Sequence, residues 1–273
     1  MVVFVNRKIL SVVYAPRPKE SRKGDFGRVL VVGGSYTGAP ALVAMAALRS
    51  GADIVRVAAP WKQAGIIAGF SPNIITEELD SSHIESQHVK NLIELSKKSD
   101  VISIGSGLGE KSKPAAKSFI SKCDKPMVVD AEAIPLLRGI KKKHVIITPH
   151  ATEFEMLAGE HLPKKLEERT AAVEKLSSKL GTILLKGPVD IISNGIKTAH
   201  NTTGNPYMTV GGTGDVLAGI CASLLAQKTD VFYAACAAAY INGFAGDLAA
   251  KRLGPSMLAT DVVDEIANAI RIR

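Results

Sequence analysis

Short runs of apolar, often β-branched residues alternate along this chain with longer stretches of helical spacing. Val29 to Gly33 is such a run and ends in glycine. Ala41 to Ser50 after it has helical spacing closed by Gly51 at a C-terminal cap position, and Ile54 to Ala58 returns to strand character. That is a β-α-β unit. Four later segments repeat one design: Val101 to Ile104 ahead of Gly105-Ser106-Gly107, Met127 to Val129 ahead of Asp130, Val145 to Ile147 ahead of Thr148-Pro149-His150, and Ile183 to Leu185 ahead of Lys186-Gly187. A wholly apolar strand with small or polar residues at its carboxyl end is how a buried parallel strand reads, with function gathered at that end. Between them lie the predicted helices His88 to Lys97, Pro114 to Ser121, Glu167 to Leu180, Gly214 to Ala226, Val231 to Ala250 and Asp261 to Ile270. The alternation predicts an α/β fold: a mostly parallel, doubly wound sheet with helices on both faces, a three-layer sandwich. With no Pro- or Ser-rich linker, residues 1–273 are expected to form a single domain.

Composition narrows the class. Apolar residues make up 46% of the chain and charged residues 22%, which suits a folded globular protein and argues against disorder or a disulfide scaffold. Cys123, Cys221 and Cys236 are far apart and form no CxxC or Cys/His metal pattern, so they read as reduced core residues of a cytoplasmic protein. The N-terminal stretch is interrupted by Arg7 and Lys8 and has no cleavage-like site, and Val231 to Ala250 contains Asn242 and Asp247, so neither reads as a signal peptide or membrane span. The net charge of +8 could attract an anionic partner, but the basic residues are scattered; Lys141-Lys142-Lys143, without interleaved aromatics, reads as a solvated turn. The expectation is a small anionic ligand, with no nucleic acid or membrane partner.

The strongest chemical signal is Thr209-Val-Gly-Gly-Thr-Gly-Asp215, followed at once by the apolar helix Val216, Leu217, Ile220, Leu224. Consecutive glycines let several N–H groups point one way, and a helix N-terminus adds partial positive charge, so the segment forms an anion hole for phosphate. Asp215 in the first turn could be a plain helix cap, although a cap does not require four small residues before it. A carboxylate beside bound phosphate can also take a hydroxyl proton as that oxygen attacks phosphorus. His150 follows Pro149 at a strand end, where the chain must leave the sheet, and Glu153 lies three residues on. Lys186 alone could be a phosphate contact or a solvated strand end. Gly33-Gly34 imitates a dinucleotide fingerprint but lacks GxGxxG, and Asp53 precedes its strand, so a redox Rossmann reading is weak.

Gly212-Thr213-Gly214-Asp215 before a helix, late in an α/β chain, resembles the anion-hole motif of ribokinase-like proteins. Four further stretches narrow the match: Lys23-Gly-Asp-Phe-Gly27, Val32-Gly-Gly-Ser-Tyr-Thr-Gly-Ala-Pro-Ala41, Thr148-Pro-His-Ala-Thr-Glu153 and Gly204-Asn-Pro-Tyr-Met208. Together, from about residue 20 to the C-terminus, they resemble the nucleotide-dependent NAD(P)H-hydrate dehydratases. The resemblance implies ADP- or ATP-dependent dehydration of the S epimer of hydrated NADH or NADPH, through phosphorylation of the ring hydroxyl and loss of phosphate. It implies Asp215 as the catalytic residue. It places Ala41, Gly107, His150, Asn205 and Asp215 against the hydrated dinucleotide, and Lys186, Gly187, Pro188, Val189, Asp190, Gly212, Thr213 and Gly214 against the nucleotide. Glu153 is the candidate for magnesium, and a homotetramer is expected. Members are often fused to an epimerase domain on the N-terminal side, for which these 273 residues leave no room, so action on one epimer alone is expected.

Two rivals share the glycines, and a basic nucleic-acid module, which strongly salt-dependent binding to duplex or single strand would be needed to revive, is a third. A small-molecule kinase of the hydroxymethylpyrimidine or thiazole type would share fold and anion hole but would release a phosphorylated product. A non-catalytic nucleotide or NAD sensor would bind with the same glycines and survive loss of Asp215.

Overall fold

A computed structural model describes residues 2–271. Ten strands form one sheet in the order β1-β10-β9-β8-β7-β6-β5-β2-β3-β4. They are β1 (Val2–Phe4), β2 (Arg28–Val32), β3 (Ile54–Pro60), β4 (Ile75–Leu79), β5 (Val101–Ile104), β6 (Met127–Val129), β7 (Val145–Ile147), β8 (Thr182–Leu185), β9 (Asp190–Ser193) and β10 (Thr198–Asn201). The block from β8 to β4 is entirely parallel, β9 runs antiparallel to both neighbours, and β1 pairs parallel with β10 at the edge.

The strand period of two sorts side chains into two cores. Val29 and Val31 of β2 pack with the helices of one face, Leu30 and Val32 with those of the other; Val128 and Ile146 likewise oppose Met127, Val129, Val145 and Ile147. The first layer holds α1 (Ile9–Val13), α2 (Gly38–Arg49), α3 (Trp61–Ala68), α8 (Thr213–Ala226), α9 (Val231–Leu253) and α10 (Ala259–Ala269). The second holds α4 (His88–Lys97), α5 (Lys113–Lys122), α6 (Ala151–Ala158) and α7 (Leu166–Leu180). The result is the expected α/β three-layer sandwich.

Small residues allow the tightest helix crossing. A Cβ at Gly219 of α8 would lie 2.3 Å from the Val43 carbonyl oxygen of α2, so only glycine lets these helices approach as they do. Among the described residues no helix is long and apolar enough to cross a membrane, and the three cysteines are buried and free.

The Lys23–Gly27 motif lies at the amino end of β2. Asp53 accepts the N–H groups of Gly24 (2.9 Å) and Phe26 (3.0 Å) and pairs with Arg17 at 3.0 Å. The motif therefore braces the end of the sheet opposite the strand-end loops.

Candidate active site

The order of strands reverses between β5 and β2, so the loops leaving their carboxyl ends diverge and open a crevice, the usual ligand position in a doubly wound sheet. A Cβ on Gly34 would lie 1.8 Å from the Leu108 carbonyl oxygen, so glycine alone lets these loops close on each other. The N–H groups of Ser35 and Tyr36 then donate to the carbonyls of Leu108 (3.1 Å) and Gly107 (3.2 Å). The glycine pair after β2 thus serves loop closure. Gly107 has φ 70°, and Pro40 and Ala39 lie within 3.3 Å of where its Cβ would stand. Ala41 sits one turn deeper: its side chain is in the core and its N–H bonds to the Thr37 carbonyl. Tyr36, Ala39 and Pro40 are the residues of this stretch that meet Gly107.

The segment expected to form an anion hole folds into the N-terminus of α8. Gly212 caps α8 with φ 102°, a left-handed conformation that disfavours any side chain. Thr213 Oγ1 donates to the Met208 carbonyl at 2.8 Å, and the first amide returning to the helix is that of Val216, onto Gly212. The N–H groups of Thr213, Gly214 and Asp215 precede it and lack intrahelical acceptors. Lys186, leaving β8, brings its Nζ to 3.3 Å from the position of a Gly214 Cβ, which sets the Lys186–Asp190 turn against the N-terminus of α8.

Beneath this lies a carboxylate that in the sequence marks only a strand end. Asp130, buried at the end of β6, accepts hydrogen bonds from Lys186 Nζ (3.0 Å) and Thr148 Oγ1 (2.7 Å), with Ser106 Oγ at 3.4 Å. Ala131 next to it has φ 47°, a strained conformation for a residue with a Cβ and one that clusters at functional sites. Glu153 approaches Lys186 at 3.9 Å. Burial alone would lower the Lys186 pKa, but Asp130, Glu153 and Asp215 outweigh it and hold the ammonium charged above its ordinary value. Burial lifts the Asp215 carboxyl to about 6, helped by the charge of Asp130 and opposed by the Ser106 hydroxyl and Lys186. A carboxylate in that range can both accept and release a proton near neutrality.

His150 and Glu153 form a reciprocal cap at the start of α6. The Glu153 N–H donates to His150 Nδ1 at 3.3 Å, and the His150 N–H donates to Glu153 Oε2 at 2.9 Å. With Nδ1 accepting, the neutral ring carries its proton on Nε2, 3.3 Å from Glu153 Oε1. The imidazole itself is 54% exposed at the mouth of the crevice, open to a ligand.

The far wall comes from two braced loops. Asp190 accepts from the Gly187 N–H (3.1 Å) and Asn201 Nδ2 (3.0 Å), fixing the Lys186–Asp190 turn in which Pro188 is exposed and Val189 half-buried. Burial lifts the Asp190 carboxyl to about 6, against the pull of Asn201, Gly187 and Lys186. Asp247 of α9 accepts from the Gly204 N–H and from Asn205 Nδ2, each at 3.0 Å. Asn205 Oδ1 accepts the Tyr207 N–H at 3.0 Å. Both ends of the Asn205 side chain are thus committed to shaping its loop. Asp247, which in the sequence served only as an argument against a membrane span, is the brace.

A sequence model of the family described as NAD(P)H-hydrate dehydratase matches residues 29–268. The chain belongs to that family. It is 43% identical over 263 residues to a bifunctional NAD(P)H-hydrate repair enzyme of Pyrobaculum aerophilum, a match covering 93% of this chain and 52% of the relative. It is 40% identical over 264 residues to an ADP-dependent (S)-NAD(P)H-hydrate dehydratase of Cenarchaeum symbiosum, covering 93% and 92%. The chain thus spans about half the length of the bifunctional relatives and nearly all of the shorter one. The fold is that of the ADP/ATP-dependent NAD(P)H-hydrate dehydratase of Bacillus subtilis, co-crystallised with ATP and magnesium, with TM-score 0.86, 26% identity and coverage of 98% and 97%. The fold is ribokinase-like.

Proposed function

We propose that the chain dehydrates the S epimer of hydrated NADH and NADPH back to the reduced cofactor, with ADP or ATP as phosphate donor. The observation carrying this reading is Asp215, its carboxyl lifted to about 6, at the open N-terminus of α8. Family membership favours this reading over the vitamin-precursor kinase and the sensor.

Asp215 takes the proton from the ring hydroxyl as its oxygen attacks the terminal phosphorus. The nucleotide leaves one phosphate shorter, its transferred group held by the N–H groups of Thr213, Gly214 and Asp215 and by Lys186. Inorganic phosphate then departs with the C–O bonding electrons while the adjacent ring carbon loses a proton to solvent, restoring the double bond. His150, Gly107 and the Asn205 loop face the dinucleotide, and Lys186–Asp190 lie along the nucleotide.

Among the described residues no three His, Cys, Asp or Glu side chains are arranged to hold a metal ion by themselves. Magnesium needs fewer, since it is commonly held by one or two carboxylates together with substrate phosphates. Glu153, with 15% of its side chain exposed beside Lys186, fits that part, with Asp130 behind it. Bound there, the ion would offset charge on the phosphates. The chain is further proposed to act as one catalytic domain and as a homotetramer, in the cytoplasm, where its three free buried cysteines suit a reducing compartment.

The test is absorbance at the reduced-nicotinamide band after mixing protein with hydrated NADH, magnesium and either nucleotide. The expected outcome is a nucleotide-dependent rise that is lost in Asp215→Asn. A stable phosphorylated alcohol with no rise would replace the proposal with the kinase reading.

A further inference from the structure

One cation near the nucleotide stretch has no assigned role. Arg169 lies in the first turns of α7, and no carboxylate among the described residues comes within 4.0 Å of it. Its Nε is shut away from solvent without a hydrogen-bond partner. The residue is half-buried, so the guanidinium is neither neutralised by protein nor fully hydrated, a costly arrangement unless something anionic completes it. The neighbouring Glu167 and Glu168 are exposed and Glu168 is engaged by Lys165.

The position of the guanidinium gives it a direction. Its Nη2 stands 3.5 Å from where a Cβ of Gly187 would be, against the turn that begins at Lys186. A Cβ at Gly187 would meet only ordinary contacts there, so the missing side chain leaves the guanidinium uncovered without any demand from the backbone. Lys186 touches the anion hole through Gly214, whereas Arg169 reaches the same turn one residue further on. The sequence Asp215, Gly214, Lys186, Gly187, Arg169 therefore leads away from the reacting centre along the turn proposed to carry the nucleotide.

We propose that Arg169 binds a phosphate of the nucleoside diphosphate that is not transferred. A guanidinium offers paired donors matched to phosphate oxygens and keeps its charge at any working pH. Lys186 would meet the group that moves and Arg169 the group that stays. This inference rests on the nucleotide reading of the site.

The experiment titrates ADP and AMP into wild-type protein, Arg169→Met and Arg169→Lys, and measures KM for nucleotide and for hydrated NADH on the same three proteins. Arg169→Met is expected to weaken ADP and AMP binding about tenfold or more, with Arg169→Lys between it and wild type. KM for nucleotide should rise in step while KM for hydrated NADH stays within about twofold, a separation that a merely structural loss would not produce. Unchanged nucleotide affinity in Arg169→Met, or equal rises in both KM values, would overturn the inference. The binding arm stands apart from turnover: wild-type protein that binds ADP without dehydrating the substrate would sink the dehydratase reading and still leave Arg169 to be judged by affinity.

Discussion

At the scale of residues, the site depends on a crowd of carboxylates around one ammonium. Asp215 ionises late because it is buried beside Asp130, and keeping it charged at neutral pH costs about 3 kcal/mol against an exposed carboxylate. Asp215→Asn removes both the proposed base and the cost. It should lower turnover by about 10²–10⁴-fold, the usual share of a general base, while thermal melting at pH 8 stays at or above that of wild type. The sign of the pH dependence follows from the raised pKa. A base must be ionised to work, and the ionised fraction falls as pH drops through about 6. kcat/KM should be flat above that value and fall tenfold per pH unit below it, as a pH profile of kcat/KM for nucleotide would show. Much of this centre was legible in the sequence, because the anion-hole glycines, Asp215, Lys186, His150 and Glu153 all sit at strand ends or a helix start, where small and polar residues interrupt an apolar pattern. Asp130 carried the same signal, a carboxylate closing an apolar strand, but its partners Thr148, Ser106 and Lys186 come from three other strand ends and no local pattern joins them.

At the scale of elements, the helices and strands that hydrophobic periodicity predicts form to within a residue or a few, whereas α1, α3, α6, β1, β4 and the β9–β10 hairpin lie outside that prediction. β4 carries Glu77 and Glu78 mid-strand because it lies at the sheet edge, where Arg56 pairs with Glu77 at 3.2 Å. β10 reads Thr-Ala-His-Asn, polar residues buried by partners on α7 and α9, among them His200 with Thr170 and Asn201 with Ala239. Asn194-Gly195 was the available hairpin signal, and Gly195 does take φ 83°. Two element-level outcomes follow. Gly219→Ala forces α8 and α2 apart, since its Cβ would lie 2.3 Å from a backbone oxygen, and should cost about 1–3 kcal/mol, read as a lower urea midpoint. Asp247→Ala leaves the Gly204 N–H and Asn205 amide without their acceptor. It should raise KM for the hydrated dinucleotide by more than KM for nucleotide, because the Lys186–Asp190 turn proposed to carry the nucleotide is braced separately by Asp190 and Asn201.

At the scale of the whole molecule, one end of the sheet is bracing and the other is chemistry. The Lys23–Gly27 motif, Asp53 and Arg17 secure the amino ends, while every candidate catalytic group gathers at the carboxyl ends and the start of α8. β1 lies outside both, at the edge beyond β10 with Val3 and Phe4 more than half exposed. Deleting residues 1–5 should therefore leave kcat/KM within about twofold, which an assay of the shortened chain would check. The α/β class and helices on both faces follow from alternation in the sequence, whereas strand order is set by long-range pairing that local pattern does not encode. The measurement that bears most directly on the account is product stoichiometry: hydrated (S)-NADH, magnesium and ADP turned over by the enzyme, with NADH, AMP and inorganic phosphate counted together. Phosphoryl transfer followed by elimination predicts the three in equal amounts, all abolished by Asp215→Asn; NADH formed without AMP and phosphate would contradict it.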